Sequence, residues 1–165
     1  MRSAVYPGSF DPVTLGHLDV VERATAVFDR LVVAVLANPR KQPLLPLEER
    51  LGLLRAALAG LPPERAARVE VASFDGLTVD ACRAHGATSI VRGLRVVSDF
   101  ELELQLAHNN RRLAPGIDTV FLMTSLEHAY VSSTLVREIA SFGGDVSGMV
   151  PPAVVEALGR RFPRR

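Results

Sequence analysis

Ser3-Ala4-Val5-Tyr6-Pro7-Gly8-Ser9-Phe10-Asp11-Pro12-Val13-Thr14-Leu15-Gly16-His17 starts apolar, breaks at Pro7 and Gly8, and resumes as a helical pattern at His17. The stretch reads as a strand (Ser3–Tyr6), a loop (7–16) and the opening of a helix, His17–Phe28, with Leu18, Val21 and Phe28 near a helical period. Next comes Leu31–Ala37, apolar throughout as strands buried on both faces of a parallel sheet are. This order of strand, loop, helix and buried strand decides the fold class, and the rest of the chain repeats it.

Leu47–Ala59 is predicted helical: Leu47, Leu51, Leu54 and Leu58 share a face, Glu48 and Glu49 suit its N-terminus, and Gly60 stops it. Val69–Phe74 reads as a strand, Thr78–Ala84 as a short helix closed by Gly86, and Thr88–Val91 as a strand. In 99–114 the apolar residues Phe100, Leu102, Leu104 and Leu106 alternate as in a strand, yet the acids lie early and Arg111 and Arg112 late. Its length and charge order predict a helix, Asp99–Ala114, apolar on two sides and set to meet both the core and a second subunit. Thr119–Met123 is the fifth strand; Ser133–Ser141 and Ala153–Gly159 are helices, the first after a serine cap and the second after Pro151 and Pro152. Five strands alternating with helices predict one α/β domain over residues 1–165, with a five-stranded parallel sheet covered on both faces. Ligands bind such sheets beyond the carboxyl ends of the strands. The loops expected there are 7–16, 38–46, 75–77, 92–98 and 124–132.

Composition narrows the classes. The chain has 165 residues, 48% hydrophobic and 22% charged, enough for a sizeable core and too apolar for bulk disorder. No apolar run approaches a membrane span, and Pro7 and Gly8 interrupt any signal-peptide core, so neither membrane nor secretion is expected. The net charge of +1 announces no nucleic-acid partner. Cys82, the one cysteine, suits a reducing cytoplasm and reads as a small core residue. Of the 19 basic residues 18 are arginine, and Lys41 alone departs from that bias.

Several chemistries have no residues to carry them. The only lysine follows Arg40, so there is no Walker A loop, and neither G-x-G-x-x-G nor G-x-S-x-G occurs. One cysteine and no H-E-x-x-H leave no familiar zinc site, and His85, His108 and His128 lack metal spacing, so no protein-held metal is expected.

The strand-end loops hold the polar residues instead. Gly8 permits a sharp turn and a close ligand, Ser9 adds a hydroxyl, and Gly16 and His17 open a helix. Backbone amides, helix dipole and imidazole would there converge as an anion site with a proton-capable donor. Arg92 and Arg95 straddle the end of a buried strand, where they await either anions or carboxylates such as Asp99. Ser132 and Ser133 precede a helix at the same edge. No residue reads as a covalent nucleophile.

Thr14-x-Gly16-His17 after a strand resembles the T-x-G-H motif of the nucleotidyltransferase superfamily. Asn38-Pro39-Arg40-Lys41, Arg92-Gly93-Leu94-Arg95, Asp99-Phe100-Glu101 and Ser132-Ser133-Thr134 follow in order. Together they resemble the bacterial phosphopantetheine adenylyltransferase family over nearly the whole chain. The resemblance implies a Rossmann-like nucleotidyltransferase fold. It also implies transfer of the adenylyl group of ATP to phosphopantetheine, in one direct step giving dephospho-coenzyme A and pyrophosphate. His17, Lys41 and Arg95 would be catalytic. Ser9, Phe10, His17, Gly93, Leu94, Arg95, Glu103 and the run His128, Ala129, Tyr130, Val131, Ser132, Ser133 and Thr134 would bind ATP. Ser9, Lys41, Thr78 and Arg92 would bind phosphopantetheine. Four positions depart from the usual pattern: Ser9 stands where many relatives have threonine, Thr78 where an aliphatic residue is common, His128 where an aromatic is usual, and Thr134 where a third serine is usual. Mg2+ would arrive with ATP, coenzyme A could act as a feedback inhibitor, and a cytoplasmic homohexamer is implied.

Two other readings stay open on the residues. Another small nucleotidyltransferase would use nicotinate mononucleotide or glycerol phosphate as acceptor. A non-catalytic nucleotide-binding module would bind adenine nucleotide without releasing pyrophosphate, and would leave His17 and Lys41 without a task.

Overall fold

The computed structural model describes residues 1–37 and 42–163. Five strands, β1 (Ser3–Gly8), β2 (Arg30–Leu36), β3 (Val69–Phe74), β4 (Ser89–Leu94) and β5 (Asp118–Met123), form one sheet in the order β3-β2-β1-β4-β5, all parallel. The helices are α1 (Leu15–Val27), α2 (Leu47–Leu58), α3 (Pro63–Ala66), α4 (Thr78–Ala84), α5 (Val97–Leu113), α6 (Ser133–Ser141) and α7 (Pro152–Arg161). The chain winds outward from β1 through β2 to β3, then returns to the other side of β1 for β4 and β5. That reversal opens a crevice between β1 and β4, where a parallel sheet binds its ligands.

Strand alternation divides the core. Ala4 and Tyr6 of β1 and Leu31, Val33 and Val35 of β2 pack with α1, α2, α6 and α7 on one face. Val5, Val32, Ala34 and Ile90 point the other way, onto Val79, Ala81 and Cys82 of α4. Cys82 is buried and burial pushes its thiol up to about 11, so it packs as a small apolar residue. Cys82→Ala is expected to keep full activity and to cost about 1 kcal/mol of stability, read by denaturant unfolding.

Several boundaries differ from the sequence reading, each for a local reason. β1 continues to Gly8 because Pro7 and Gly8 still pair with Ala34 and Val35 of β2. β4 continues to Leu94, since Arg92, Gly93 and Leu94 pair with Phe121, Leu122 and Met123. Arg92 therefore projects from a strand, not a loop. α1 starts at Leu15 rather than His17, because Thr14 caps it with its side chain. The expected loop 124–132 contains a single 3-10 turn, Leu126–His128. Helix α5 has no buried residue: Phe100 meets Phe121 edge-on at 6.0 Å, but Leu102 and Leu106 are 61% and 44% exposed. The expected core face of this helix is thus only half covered.

Candidate active site

A cavity of about 600 Å³ lies at the carboxyl edge of the sheet, over the crevice between β1 and β4. The loop after β1 makes its floor. Phe10 adopts φ 46°, in the left-handed region, and its ring folds back over the strand end. The ring stands 5.4 Å from Tyr6 and 5.0 Å from His17. Gly8 makes this possible, since a Cβ there would come within 3.0 Å of the Phe10 ring.

His17 sits at the third position of α1 in a reciprocal cap. The Thr14 N–H donates to its Nδ1 at 3.0 Å, while the His17 N–H donates to Thr14 Oγ1 at 3.3 Å. With Nδ1 accepting, the ring proton belongs on Nε2. Burial, with Arg95 and Arg92 adding repulsion, lowers its pKa to about 4. At neutral pH His17 is thus a neutral imidazole that presents its Nε2–H as a donor. The expected convergence of helix amides is also reduced, because Leu15 N–H is taken by Met149 O and His17 N–H by Thr14.

A second helix start faces the same cavity. Ser132 caps α6 by accepting from Leu135 N–H, and Ser133 Oγ donates to Pro12 O at 2.8 Å. Both serines therefore have structural bonds. Among the described residues, the backbone amides of Ser133 and Thr134 have no acceptor, as the first amides of a helix do not. With the Gly16 N–H of α1, which also has no acceptor among the described residues, they are free donors at the positive ends of two helices.

Among the described residues, the cavity wall carries four arginines. Arg92 forks onto Glu103 at 2.7 and 2.5 Å and gives Nη1 to Pro7 O at 3.0 Å. Burial works against its charge, but the Glu103 carboxylate outweighs burial and holds the guanidinium protonated. Arg95 pairs with Asp99 at 3.1 Å and reaches Val131 O at 3.1 Å, tying α5 to the loop before α6. The two arginines thus line the cavity while pairing with carboxylates, Arg95 with the Asp99 expected from the sequence and Arg92 with Glu103. Arg50 and Arg137 complete the set.

Of the residues singled out from the sequence, the cavity gathers Ser9, Phe10, His17, Arg92, Gly93, Arg95, Glu103, Val131, Ser132, Ser133 and Thr134. Leu94 is a buried core residue at the end of β4, and its carbonyl accepts from Thr124 N–H. Thr78 starts α4 away from the cavity wall. His128, Ala129 and Tyr130 also lie off the wall: His128 borders a separate groove beside α1 and α7, Ala129 is buried, and Tyr130 is exposed. Lys41, with Asn38, Pro39 and Arg40, lies outside the described residues.

Sequence reasoning missed Arg50, Arg137 and the structural work of Asp11. Asp11 accepts Leu44 N–H at 2.8 Å and Leu45 N–H at 2.9 Å, while Arg137 donates to the Asp11 carbonyl. The signal for Arg50 was available: it lies three residues after Leu47 and four before Leu54, on the apolar stripe of α2.

The description "Cytidylyltransferase-like" belongs to a family model that matches residues 5–139. A phosphopantetheine adenylyltransferase of Anaeromyxobacter dehalogenans is 53% identical, over 99% of this chain and 96% of that protein. One of Heliobacterium modesticaldum is 50% identical over 98% of this chain and 94% of that protein. Among solved structures, the nicotinic acid mononucleotide adenylyltransferase of Plasmodium falciparum, complexed with NaAD, superposes with a TM-score of 0.72. It covers 98% of this chain and 95% of its own at 13% identity, which is a likeness of fold. The five parallel strands, the crevice over β1 and β4 and near-full-length identity of about one half agree: the chain belongs to the cytidylyltransferase-like family, among the phosphopantetheine adenylyltransferases.

Proposed function

We propose that this chain transfers the adenylyl group of ATP to phosphopantetheine, forming dephospho-coenzyme A and releasing pyrophosphate. The observation that carries the reading is a cavity walled, among the described residues, by four arginines, free helix amides and a neutral imidazole donor. It occurs in a chain half identical to phosphopantetheine adenylyltransferases.

The chemistry follows from what lines the cavity. A phosphate oxygen of phosphopantetheine attacks the α-phosphorus of ATP, the bond to the bridging oxygen breaks, and pyrophosphate leaves with the electron pair. Such a transfer needs positioning and neutralisation of spreading charge more than covalent help. The only thiol is buried in α4 with its pKa raised, and Ser133 Oγ is spent on Pro12 O. His17 Nε2–H would donate to the phosphates, Ser9 and Phe10 would contact ATP, and Gly93, Arg95 and Glu103 would border the adenylate. Arg92, with Lys41, would hold the phosphopantetheine phosphate. Mg2+ belongs to the substrate as MgATP. The carboxylates of the wall already serve Arg92, Arg95, Leu44 and Leu45, so the ion's oxygen ligands come chiefly from the phosphates.

Coenzyme A shares the pantetheine arm and the adenine of the two substrates, which supports feedback by occupation of this same cavity. Exposed Phe100, Leu102 and Leu106 on α5 support a subunit contact, and a homohexamer is the assembly we assign. Leu106→Glu is expected to move the sedimentation profile toward smaller species; an unchanged profile would count against α5 as the contact. A cytoplasmic location accords with the single buried cysteine and with no described helix being long and apolar enough to cross a membrane. The net charge of +1 supports small-molecule partners over nucleic acid.

The deciding experiment is pyrophosphate release with ATP, Mg2+ and phosphopantetheine. Parallel reactions replace the acceptor by nicotinate mononucleotide, or use glycerol phosphate with CTP. Turnover with phosphopantetheine alone is expected; ATP binding without pyrophosphate release would return the chain to a non-catalytic nucleotide-binding role.

A further inference from the structure

Arg50 is a cation in an expensive place. It is 4% exposed, and among the described residues no carboxylate lies within ion-pair distance of it. Its bonds go to three main-chain carbonyls. Nε donates to Leu45 O at 3.1 Å, and Nη1 donates to Ser9 O at 2.7 Å and to Leu36 O at 3.1 Å. Burial lowers its pKa, and the nearby Asp11 charge acts the other way. For packing alone, leucine or methionine would fill this part of α2 without desolvating a charge. What guanidinium adds is a rigid fork of directed donors that can join separate stretches of chain.

The stretches it joins matter. Ser9 belongs to the loop after β1, Leu36 is the last residue of β2, and Leu45 leads into α2. Asp11 completes the bracing from the opposite side, by accepting Leu44 N–H and Leu45 N–H. Leu45 is therefore held at its N–H by the β1 loop and at its carbonyl by Arg50.

We infer that Arg50 is a positioning residue for adenylyl transfer: it fixes the loop after β1 and the end of β2 against the start of α2, and so sets the place of Ser9 and Phe10 on the cavity wall beside His17. The inference rests on the adenylyl-transfer reading of the cavity. A displacement near 1 Å between reacting groups costs roughly a hundredfold in rate, so a brace of this kind shows in kcat.

The test compares Arg50→Lys, Arg50→Ala and Asp11→Asn in the full chain. The readouts are kcat and KM by pyrophosphate release, ATP affinity by calorimetry and amide hydrogen exchange at Leu44 and Leu45. Arg50→Lys keeps the charge but not the fork, and is expected to lose about tenfold in kcat with ATP affinity changed by less than about threefold. Arg50→Ala is expected to lose roughly a hundredfold, and millimolar guanidinium is expected to restore part of it while doing nothing for His17→Ala. A merely structural role would lower thermal stability and leave kcat per folded molecule, and its guanidinium response, unchanged. Parental kcat in Arg50→Lys overturns the inference. If the Arg50 variants do not fold, Asp11→Asn loosens the same brace from the other side, and parental kcat there overturns it equally. If the parent releases no pyrophosphate from phosphopantetheine, the proposed function fails. Hydrogen exchange then judges the brace alone: faster exchange at Leu44 and Leu45 in Arg50→Lys supports it, and unchanged protection overturns it.

Discussion

His17→Ala is expected to fold and to lose roughly a hundredfold to a thousandfold in kcat, the usual cost of removing one donor that faces charge developing in a transition state. The imidazole is locked by Thr14 through Nδ1, wedged against Phe10, and kept neutral by burial and by Arg95 and Arg92. Its contribution is a positioned Nε2–H, not a charge. His17→Asn, which retains a neutral N–H donor, is therefore expected to keep more activity than His17→Ala. In the parent, the His17 ring resonances should not titrate between pH 8 and pH 5.

The same shift has a consequence for stability. The folded pKa is about 4, against 6.5 for an ordinary histidine, so between those values the unfolded chain binds a proton that the folded chain refuses. Stability contributed by neutral His17 is complete above pH 6.5 and falls as the pH drops from 6.5 to 4. Denaturant unfolding of His17→Ala should lack this part of the slope, so the variant gains relative to the parent at pH 5 compared with pH 7.5. Equal kcat in His17→Ala and the parent would remove His17 from the mechanism; an unchanged pH slope would remove the burial argument.

What the sequence made legible follows its periodicity. Apolar runs such as Leu31–Val35 can be satisfied only between two helical layers, so strands, parallel topology and the edge bearing the site were all readable. Register and capping were not. The length of β4 depends on pairing with β5, and Arg92 reads as a loop residue until Phe121 is found beside it. The entry to α1 depends on Thr14, whose hydroxyl displaces the helix start by two residues from its apparent opening at His17. Residues grouped by local motif come together on the cavity wall, because a loop after a strand carries its neighbours together. Arg50, Arg137 and Asp11 were missed because their importance comes from carbonyls and amides distant in sequence. A composition or motif reading sees such residues as an exposed helix charge and a turn. Thr78, Leu94 and the 128–130 run were placed in the site by resemblance, and their side chains lie away from the described cavity wall.

Lys41→Ala is expected to lose even more turnover than His17→Ala, and Lys41→Arg to lose much of it despite keeping the charge. The first ground is compositional: the chain uses arginine at 18 of 19 basic positions, so a drift toward arginine would have replaced this lysine if a guanidinium could serve. The second is positional. In sequence, Lys41 follows the carboxyl end of β2 by five residues. The chain on either side is fixed: Ala37 N–H bonds Phe74 O, and Leu44 and Leu45 are held by Asp11. Leu36, Gln42 and Pro43, described residues on either side, line the cavity that holds His17. An ammonium is a compact charge on a flexible stem, whereas guanidinium is a broad planar fork. The expectation for Lys41→Arg is that the space between an attacking phosphate and the α-phosphoryl group admits the first and not the second. In this role the lysine would steady the phosphopantetheine phosphate and the charge growing on the α-phosphoryl oxygens. ATP affinity should then change little in either variant, because Gly93, Arg95, Ser133 and Thr134, the groups proposed for ATP, belong to β4 and α6 and the segments beside them. Steady-state kinetics with calorimetry for each substrate separates the parts of the argument. Parental turnover in Lys41→Arg would refute the steric step and leave the charge. Parental turnover in Lys41→Ala would refute the catalytic assignment, and loss of ATP affinity in step with kcat would place the lysine on the nucleotide rather than on the acceptor.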